Sequence, residues 1–347
     1  MRTSPSPSRP STFSVVAFDR EREEWGVAVQ SKFIAVGAVV PWVEAKVGAI
    51  ATQANANMRY GPDGLALLRK GRSSREVVEQ LTRADPERDH RQLGVVDRTG
   101  SACSYTGTKC MEWAGHVVGD GFACQGNILL SNEVVEAMAR AMERTPGDLA
   151  DRLLAALSAG QRAGGDRRGQ QSAALYVAKV GGSYGKSLDR YIDLRVDDHP
   201  TPIEELKRTF QLYDLTMLER EDPSTLIPLT DEVVREVQKD LRVLGYYFGP
   251  LDGRWEAPVQ QAFSKYVGTE NFENKLREDR QVWPSLLSHL HRQAEAAGDL
   301  ARKAQPAVFG ALSAGPGRAP PPAPGGAGRV DRPSPAPPTR GRRKKGG

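Results

Sequence analysis

The sequence of 347 residues predicts a layered α+β domain followed by a small helical domain. Short runs of alternating or β-branched residues come first, and amphipathic helical patterns follow them. A second pair of strands and one more helix end the larger domain, and new helical patterns begin after a Pro-broken interval. Strands, then helices, then strands, then a helix suit a layered α+β sandwich.

The first predicted strands form a compact N-terminal set. Residues 12–18 and 26–31 flank a charged turn and predict a hairpin. Apolar runs at 35–43 and 47–54 predict a third and a fourth strand. The preceding residues, 1–11, are rich in Pro, Ser and Arg, so we expect them to be disordered.

Helices and further strands follow this set. A turn at 60–64 leads into a helix at 65–70, and Ser73 with Glu76 forms a capping box that opens a helix through residue 84. A second capping box, with Pro at the first helical position, opens the last helix at Thr201. The other predicted elements are strands at 92–97 and 102–106, a loop-rich stretch to residue 127, helices at 132–144 and 149–163, and strands at 172–180 and 191–196.

The C-terminal third has a different composition. Pro223 and Pro228 interrupt any helix in a linker, helical patterns and aromatic residues follow, and the end of the chain is of low complexity. We therefore predict five segments: a disordered extension at 1–11, the main domain at 12–216, a linker at 217–230, a small helical module at 231–295 and a disordered tail at 296–347.

Charge and composition limit the classes of function. Ten Lys and Arg against two Asp give residues 296–347 a net charge of +8, which leaves −3 of the total +5 for residues 1–295. A nucleic-acid groove in the folded part has no support from this distribution. The chain shows neither a signal-peptide core nor a membrane span, so we expect a cytoplasmic protein with no membrane partner.

Several motifs resemble a known family. They are TFSVVAFD, GVAVQSKFIAVGAVVPW, GAIATQANANMRYGP, RQLGVVD, WAGHVVGDGFACQGNILL, GGDRRGQQSAAL and RYIDLRVDDHPTPIEELKR, and they cover residues 12–214 in order. This stretch resembles the domain of unknown function 1028 family. The resemblance implies an Ntn-hydrolase-like αββα four-layer sandwich and, by analogy, an amidohydrolase. The later string VREVQKDLRVLGYYFGPLDGRW resembles the first half of a peptidoglycan-binding-like helical module.

Thr12 is the candidate nucleophile, because its own α-amine can serve as the base once that amine is free. Either the chain is cut between Ser11 and Thr12, or Thr12 is an ordinary strand residue. Lys32 and Lys46 are candidates for the cation that lowers the pKa of this amine. The strand end that contains Thr52 and Gln53 is the candidate source of backbone N–H groups for an oxyanion.

Two other groups of residues are candidates for substrate binding. The first group consists of side-chain amides and one phenol in two predicted loops. The second is a charged turn between glycines, in which a planar guanidinium group could bind a carboxylate of the substrate. In that turn Asp166 could instead pair with Arg168 to hold the loop. The candidates are Asn55, Asn57, Tyr60, Asn127, Asp166, Arg167 and Arg168.

We expect no cofactor and no metal. Cys103, Cys110, His116 and Cys124 lack the close pairs of zinc sites, and an odd number of cysteines, three, is unlike a disulfide framework. The leading hypothesis is an Ntn-type amidohydrolase that cleaves a small, anionic amide and assembles as a homo-oligomer. The alternative is a non-catalytic protein that binds a metabolite or a peptidoglycan fragment on the same fold.

Overall fold

The structure is a computed structural model that describes residues 12–304. The predicted disordered extension, residues 1–11, and residues 305–347 of the predicted tail lie outside the described residues. The chain divides into two units, residues 1–295 and residues 296–347. Of the second unit, the structure describes only residues 296–304, which form the end of the last helix.

The described residues form eight α-helices and twelve β-strands. In chain order they are β1 (Thr12–Asp19), β2 (Glu24–Ser31), β3 (Pro41–Glu44), β4 (Gly48–Ala54), α1 (Tyr60–Arg69), α2 (Ser74–Ala84), β5 (Arg91–Asp97), β6 (Ala102–Thr106), β7 (Gly115–Gly119), β8 (Phe122–Asn127), α3 (Glu133–Arg144), α4 (Leu149–Arg162), β9 (Ser172–Lys179), β10 (Arg190–Val196), α5 (Pro202–Met217), β11 (Ile227–Pro228), α6 (Asp231–Val243), α7 (Ala257–Thr269), β12 (Gln281–Val282) and α8 (Pro284–Ala304).

Two antiparallel sheets carry the larger domain. The six-stranded sheet has the order β10-β9-β2-β1-β8-β7, and the four-stranded sheet has the order β3-β4-β5-β6. β1 therefore lies at the centre of the larger sheet, paired with β2 on one side and β8 on the other. The first residue of β1, Thr12, has Ser31 and Asn127 as its cross-strand partners.

The two sheets face each other between layers of helices. Val16, Val27 and Ala49 belong to one buried cluster between the sheets. Phe13 and its neighbours on the opposite face of the six-stranded sheet pack with α3, α4 and α5, while Ile50 packs with α1 and α2 outside the four-stranded sheet. The packing therefore has four layers: helices, sheet, sheet and helices.

The C-terminal helices surround a core of their own, which includes Val237 of α6, Tyr266 of α7 and Leu290 of α8. Leu215 of α5 also packs in this core, so α5 contributes to both parts of the chain. The interval predicted as a linker is partly regular, because it contains β11, which pairs with β12 near the start of α8.

Two predicted elements are wrong, and in each of them a glycine packs closely against a neighbouring residue. The third strand was expected at 35–43, but the chain forms a short 3₁₀ helix and then β3. A Cβ on Gly37 would lie 2.7 Å from the Cβ of Ala174, so this segment packs too closely on β9 for a regular strand. Gly61 lies inside α1 rather than in a turn, and a Cβ there would lie 2.1 Å from the ring of Trp42.

Two other local predictions also differ from the structure. The stretch expected to be rich in loops contains the hairpin of β7 and β8, which turns at Gly121 with φ 76°. The capping box at Thr201 is absent: Pro202 starts α5 as expected, but the Thr201 side chain caps no helix amide. Its own amide donates to His199 Nδ1 at 3.1 Å instead. The capping box of Ser73 and Glu76 is confirmed.

Candidate functional site

Thr12 lies at the start of the central strand and faces the four-stranded sheet. It is 1% exposed, and its hydroxyl oxygen lies 3.0 Å from the hydroxyl oxygen of Ser31. Side chains alternate along a strand, so Thr12 and Ser14 point between the sheets while Phe13 packs against the helices. The structure therefore places a hydroxyl group between the two sheets at the end of β1.

A cavity of about 200 Å³ opens beside this hydroxyl group. Most of its lining is apolar, and Gln53 and Asn55 contribute the polar side chains other than Thr12. The full lining is Thr12, Phe33, Val36, Val39, Val40, Gln53, Ala54, Asn55, Ala56 and Met58. A threonine hydroxyl in the wall of a cavity of this size could meet a bound small molecule.

Buried amide side chains hold the first residue of β1. Gln53 Nε2 donates to the Thr12 carbonyl oxygen at 3.3 Å and to Gln92 Oε1 at 2.8 Å. Asn127 Nδ2 also donates to Gln92 Oε1, at 3.0 Å, and lies 3.5 Å from the Thr12 carbonyl oxygen. Gln53 and Asn127 therefore position Thr12, and their amide donors are already engaged.

Two of the backbone amides expected to serve as oxyanion donors at the end of β4, those of Thr52 and Asn55, already have acceptors. The Thr52 amide donates to Val40 O at 3.2 Å, and the Asn55 amide donates to His90 O at 3.1 Å. The Thr52 hydroxyl donates to Asn57 O at 3.1 Å. Backbone bonds of the surrounding loops thus use the groups that were expected to face the substrate.

Of the two lysines expected near the Thr12 amine, Lys46 lies far from it, and the ammonium group of Lys32 is bonded to another residue. Lys46 is in the turn between β3 and β4, with φ 62°, while Gln53 near the other end of β4 reaches Thr12. At about 3.3 Å per strand residue, Lys46 is roughly 20 Å from the site. Lys32 follows β2 directly, but its ammonium donates to Gln170 O at 3.1 Å. Neither lysine lines the cavity.

Asp166 lies just beyond the start of β1. Its carboxylate accepts the amide of Lys32 at 2.9 Å, one residue past β2, and its backbone forms a bridge with Leu129, two residues past β8. Because β2 and β8 flank β1, Asp166 spans the end of the sheet where the Thr12 nitrogen lies. It is only 3% exposed, so it suits a positioning role better than direct substrate binding.

The two arginines of this turn have different surroundings. The Arg168 amide donates to Asp166 Oδ1 at 2.8 Å, and Arg168 Nη2 donates to Asp166 Oδ2 at 3.2 Å. This is the loop-holding pair that the sequence left open as an alternative. Arg167 is exposed, and its amide donates to Ile128 O at 3.1 Å. Arg167 is therefore the better candidate for an anionic ligand.

Lysine substitutions separate these two roles. Arg168→Lys loses the fork that grips Asp166 and is expected to cost about 1 kcal/mol, which lowers Tm by roughly 2–4 °C. Arg167→Lys is the matched control in the same turn and should leave Tm unchanged. Thermal unfolding of both variants checks this prediction. An unchanged Tm for Arg168→Lys would contradict the structural role of the pair.

Asn57 and Tyr60, expected to bind substrate, instead hold a buried carboxylate. Asn57 Nδ2 donates to Asp85 Oδ2 at 3.0 Å, and the Tyr60 hydroxyl donates to the same oxygen at 2.8 Å. Arg91 Nε also donates to Asp85 Oδ2, at 3.0 Å. Of the predicted amides in this loop, Asn55 is the one that lines the cavity with an exposed side chain.

Asp85 makes the stability of the loop depend on pH. Burial alone would raise the pKa of its carboxyl group, but hydrogen bonds from Asn57, Arg91, the Glu87 amide and Tyr60 bring the pKa to about 2. The folded-state pKa is thus below the unfolded value of about 3.9. The stabilisation is complete above pH 4 and is lost as the pH falls towards 2.

We expect Asp85→Asn to lower the free energy of unfolding by about 2 kcal/mol at pH 7. The variant should also lose less of this free energy than the wild type when the pH falls from 4 to 2. Asp63→Asn removes a carboxylate that is 45% exposed and pairs with Arg59, so it is the matched control. Urea unfolding of the wild type and both variants from pH 2 to 7 measures the effect. Parallel pH profiles for Asp85→Asn and the wild type would contradict it.

Sequence reasoning missed the polar core that supports the site. Ser31 contacts the Thr12 hydroxyl, and Gln92 donates to Thr106 Oγ1 at 2.9 Å and to Gly126 O at 2.8 Å. Gln125 Nε2 donates to the Ser14 hydroxyl at 2.7 Å. The signal was present, because these residues interrupt otherwise apolar strands. A long amide in a buried strand must find partners, and here the facing sheet supplies them.

The aromatic residues of the C-terminal part serve mainly in packing. Tyr246 packs edge-to-face on Tyr266, with ring centroids 5.5 Å apart, and the Tyr247 hydroxyl donates to Pro250 O at 2.9 Å. Trp255 packs on Phe263 at 5.5 Å. One aromatic of the same motif, Phe248, is 84% exposed.

Two further observations bear on the class of site. Within residues 12–300, His, Cys, Asp and Glu side chains do not form a group of three or more that could hold a metal ion. In the described part of the chain, none of the helices combines the length and apolar character needed to span a membrane. Burial raises the pKa of the Cys124 thiol, as is usual for a small residue in the core.

Comparisons with known proteins match two separate stretches of the chain. The model of the family of unknown function DUF1028 matches residues 12–206, and that of the family described as "Putative peptidoglycan binding domain" matches residues 216–290. The crystal structure of protein SPO2555 from Silicibacter pomeroyi, titled with the same DUF1028 family, matches with 31% identity and a TM-score of 0.54. The match covers 59% of this chain and 89% of that one. No curated protein matches.

Proposed function

The chain belongs to the family of unknown function DUF1028, and we propose that its larger domain is an Ntn-hydrolase-like sandwich that hydrolyses amide bonds with Thr12 as nucleophile. The observation that carries this proposal is the position of Thr12. Thr12 is the first residue of the central strand of the larger sheet, and it lines a cavity of about 200 Å³. The same residue, once N-terminal, would supply both the attacking oxygen and the base.

The first step frees the amine. Thr12 Oγ1 attacks the carbonyl carbon of Ser11, and the bond from that carbon to the Thr12 nitrogen breaks as the nitrogen takes the hydroxyl proton. The resulting ester is hydrolysed by water, which leaves residues 1–11 with a terminal carboxylate and Thr12 with a free amine and a free hydroxyl. Water is the only co-reactant.

The catalytic cycle uses the same atoms. The Thr12 amine takes the hydroxyl proton as Oγ1 bonds to the carbonyl carbon of the substrate amide. The carbon–nitrogen bond then breaks, and the proton passes to the departing amine. Water, deprotonated by the same Thr12 amine, attacks the ester and releases a carboxylic acid, which restores the Thr12 hydroxyl.

The neighbouring groups have supporting roles in this cycle. Gln53 and Asn127 hold the Thr12 carbonyl, and Ser31 holds its hydroxyl. Asp166 spans the end of the sheet, where it would face and orient the new amine. Asn55 lines the cavity with an exposed amide, which makes it the candidate donor to the substrate carbonyl.

A β-lactone tests the proposal without knowledge of the substrate. Attack by Thr12 Oγ1 would open the strained ring and leave an ester adduct on that residue, which mass spectrometry of proteolytic peptides can locate. We expect an adduct on Thr12 in the native protein and none after denaturation. Labelling of exposed lysines alone in the native protein would contradict the proposal.

A non-catalytic binding protein is the second candidate, and one observation favours it. The family described as peptidoglycan-binding matches residues 216–290, and Phe248 in this stretch is exposed. Because Tyr246, Tyr247 and Trp255 are used in packing, we expect the whole chain not to sediment with purified peptidoglycan. Sedimentation that Phe248→Ala abolishes would favour this candidate. We propose, as part of the leading hypothesis, that the protein acts in the cytoplasm.

A further inference from the structure

One wall of the cavity beside Thr12 is fixed by hydrogen bonds and close packing. The Val36 amide donates to the hydroxyl of Ser172 at 3.1 Å, and the Ala35 amide donates to Asp197 O at 2.9 Å. Gly37 leaves no space for a Cβ against Ala174. The apolar side chains of this segment that line the cavity are therefore held in place before any ligand binds.

The opposite wall is equally anchored. Ala54 leaves β4 with φ 65°, and the next amide, that of Asn55, donates to His90 O at 3.1 Å. Two residues further on, Asn57 donates to the buried carboxylate of Asp85 at 3.0 Å. Ala56 lies between these two anchors and lines the cavity. The cavity is thus a preformed pocket.

The lining identifies the chemistry of the group that fits. None of the lining residues carries a charge, and the Gln53 amide already donates to backbone and side-chain acceptors. An ionised group would lose its hydration there without a partner. A dry cavity of about 150 Å³ accepts benzene, so a volume of about 200 Å³ accepts an apolar group of roughly six to eight heavy atoms.

Next to the cavity, on the side of Asn127, polar and apolar residues are mixed. A small recess shares Ala54 and Asn55 with the cavity, and its lining also includes Lys109 and Asn127. Ile128 lies in the same recess, and its carbonyl oxygen accepts the amide of Arg167. At about 10 Å³ this recess holds no more than a water molecule, so a larger polar group would lie outside it, on the side where Arg167 is exposed.

We infer that the substrate is an N-acylated amino acid whose acyl group carries an apolar chain or ring of about six to eight heavy atoms. This inference rests on the proposed function. The acyl group stays attached to Thr12 during the reaction and fits the apolar cavity, whereas the amine must depart and would lie outside the cavity, where its carboxylate could reach the exposed Arg167. Val39, Ala56 and Met58 would set the chain length.

Binding of primary alcohols tests the cavity independently of catalysis. Ethanol, hexan-1-ol and decan-1-ol would be titrated into the wild-type protein, and their dissociation constants measured by ligand-observed NMR. We expect hexan-1-ol to bind about 200-fold more tightly than ethanol, because it has four more methylenes and each buried methylene adds roughly fourfold. Decan-1-ol should bind no more tightly than hexan-1-ol. Equal affinity for ethanol and hexan-1-ol would overturn the inference.

Two variants locate this binding. Ala56→Leu fills the cavity and should remove most of the preference for hexan-1-ol, whereas Ala257→Leu at an exposed position of α7 should leave it intact. Met58 is 48% exposed at the rim, so Met58→Gln should fold and reduce the preference several-fold, with Met217→Gln as its control. A preference that survives both cavity variants would contradict the assigned position.

Hydrolysis assays distinguish the proposed hydrolase function from the inferred identity of the acyl group. N-acetyl-, N-hexanoyl- and N-dodecanoyl-alanine would be compared by release of the free amino acid, and the hexanoyl compound should have the highest kcat/KM. Length-dependent alcohol binding without hydrolysis of any of the three and without a lactone adduct would count against the proposed function alone. Fastest hydrolysis of N-acetyl-alanine would overturn the inference and leave the hydrolase proposal standing.

Discussion

Thr12→Ala is expected to abolish the lactone adduct and to lower the kcat/KM of amide hydrolysis by about 10³-fold or more, because the attacking oxygen is gone. The substitution removes a single side-chain contact, that with the hydroxyl of Ser31, so the fold should persist. The measurements are peptide mass spectrometry and initial rates with N-acyl amino acids.

Thr12→Ser is the matched variant. It retains a hydroxyl group at the start of β1 and should keep both the adduct and activity within about tenfold of the wild type. Ser14→Ala, at the next inward-facing position of β1, serves as a control for disturbance of the strand. Equal activity of Thr12→Ala and the wild type would show that the oxygen of Thr12 takes no part in the reaction.

Gln92→Leu is expected to lower the free energy of unfolding by about 3 kcal/mol. Gln92 is fully buried and accepts hydrogen bonds from Gln53 and Asn127, whose buried amides would lose that acceptor. Its own amide also donates to the Gly126 carbonyl oxygen, and this bond would be lost.

Gln80→Leu on the exposed face of α2 is the control, and it should change stability by less than about 0.5 kcal/mol. Urea unfolding measures both variants. The effect should extend to function, because Gln53 and Asn127 also hold the Thr12 carbonyl. A loss below about 1 kcal/mol for Gln92→Leu would mean that the amide network is not needed for stability.

Local patterns were enough to predict most of the elements. Alternating residues predicted the hairpin of β1 and β2, and the capping box of Ser73 and Glu76 marked the start of α2. Each depends on residues close together in the chain. The 3₁₀ helix near Gly37 was missed because its conformation depends on close packing against Ala174, about 140 positions later in the sequence.

The site was only partly predictable for the same reason. Thr12 was found from its place at the start of a strand, and the alternative pairing of Asp166 with Arg168 was visible from their spacing. The roles of Gln53 and Gln92 depend on which strands face each other across the two sheets, which periodicity does not specify. Lys46 was misplaced because proximity in the sequence was taken for proximity in space.

The central claim is that Thr12 acts with a free amine, and the intact mass of the purified protein tests it most directly. We predict that the wild-type protein lacks residues 1–11 and begins at Thr12, while Thr12→Ala retains residues 1–11, because the hydroxyl needed for cleavage is missing. A wild-type mass that includes residues 1–11, in protein with full amidase activity, would contradict the account.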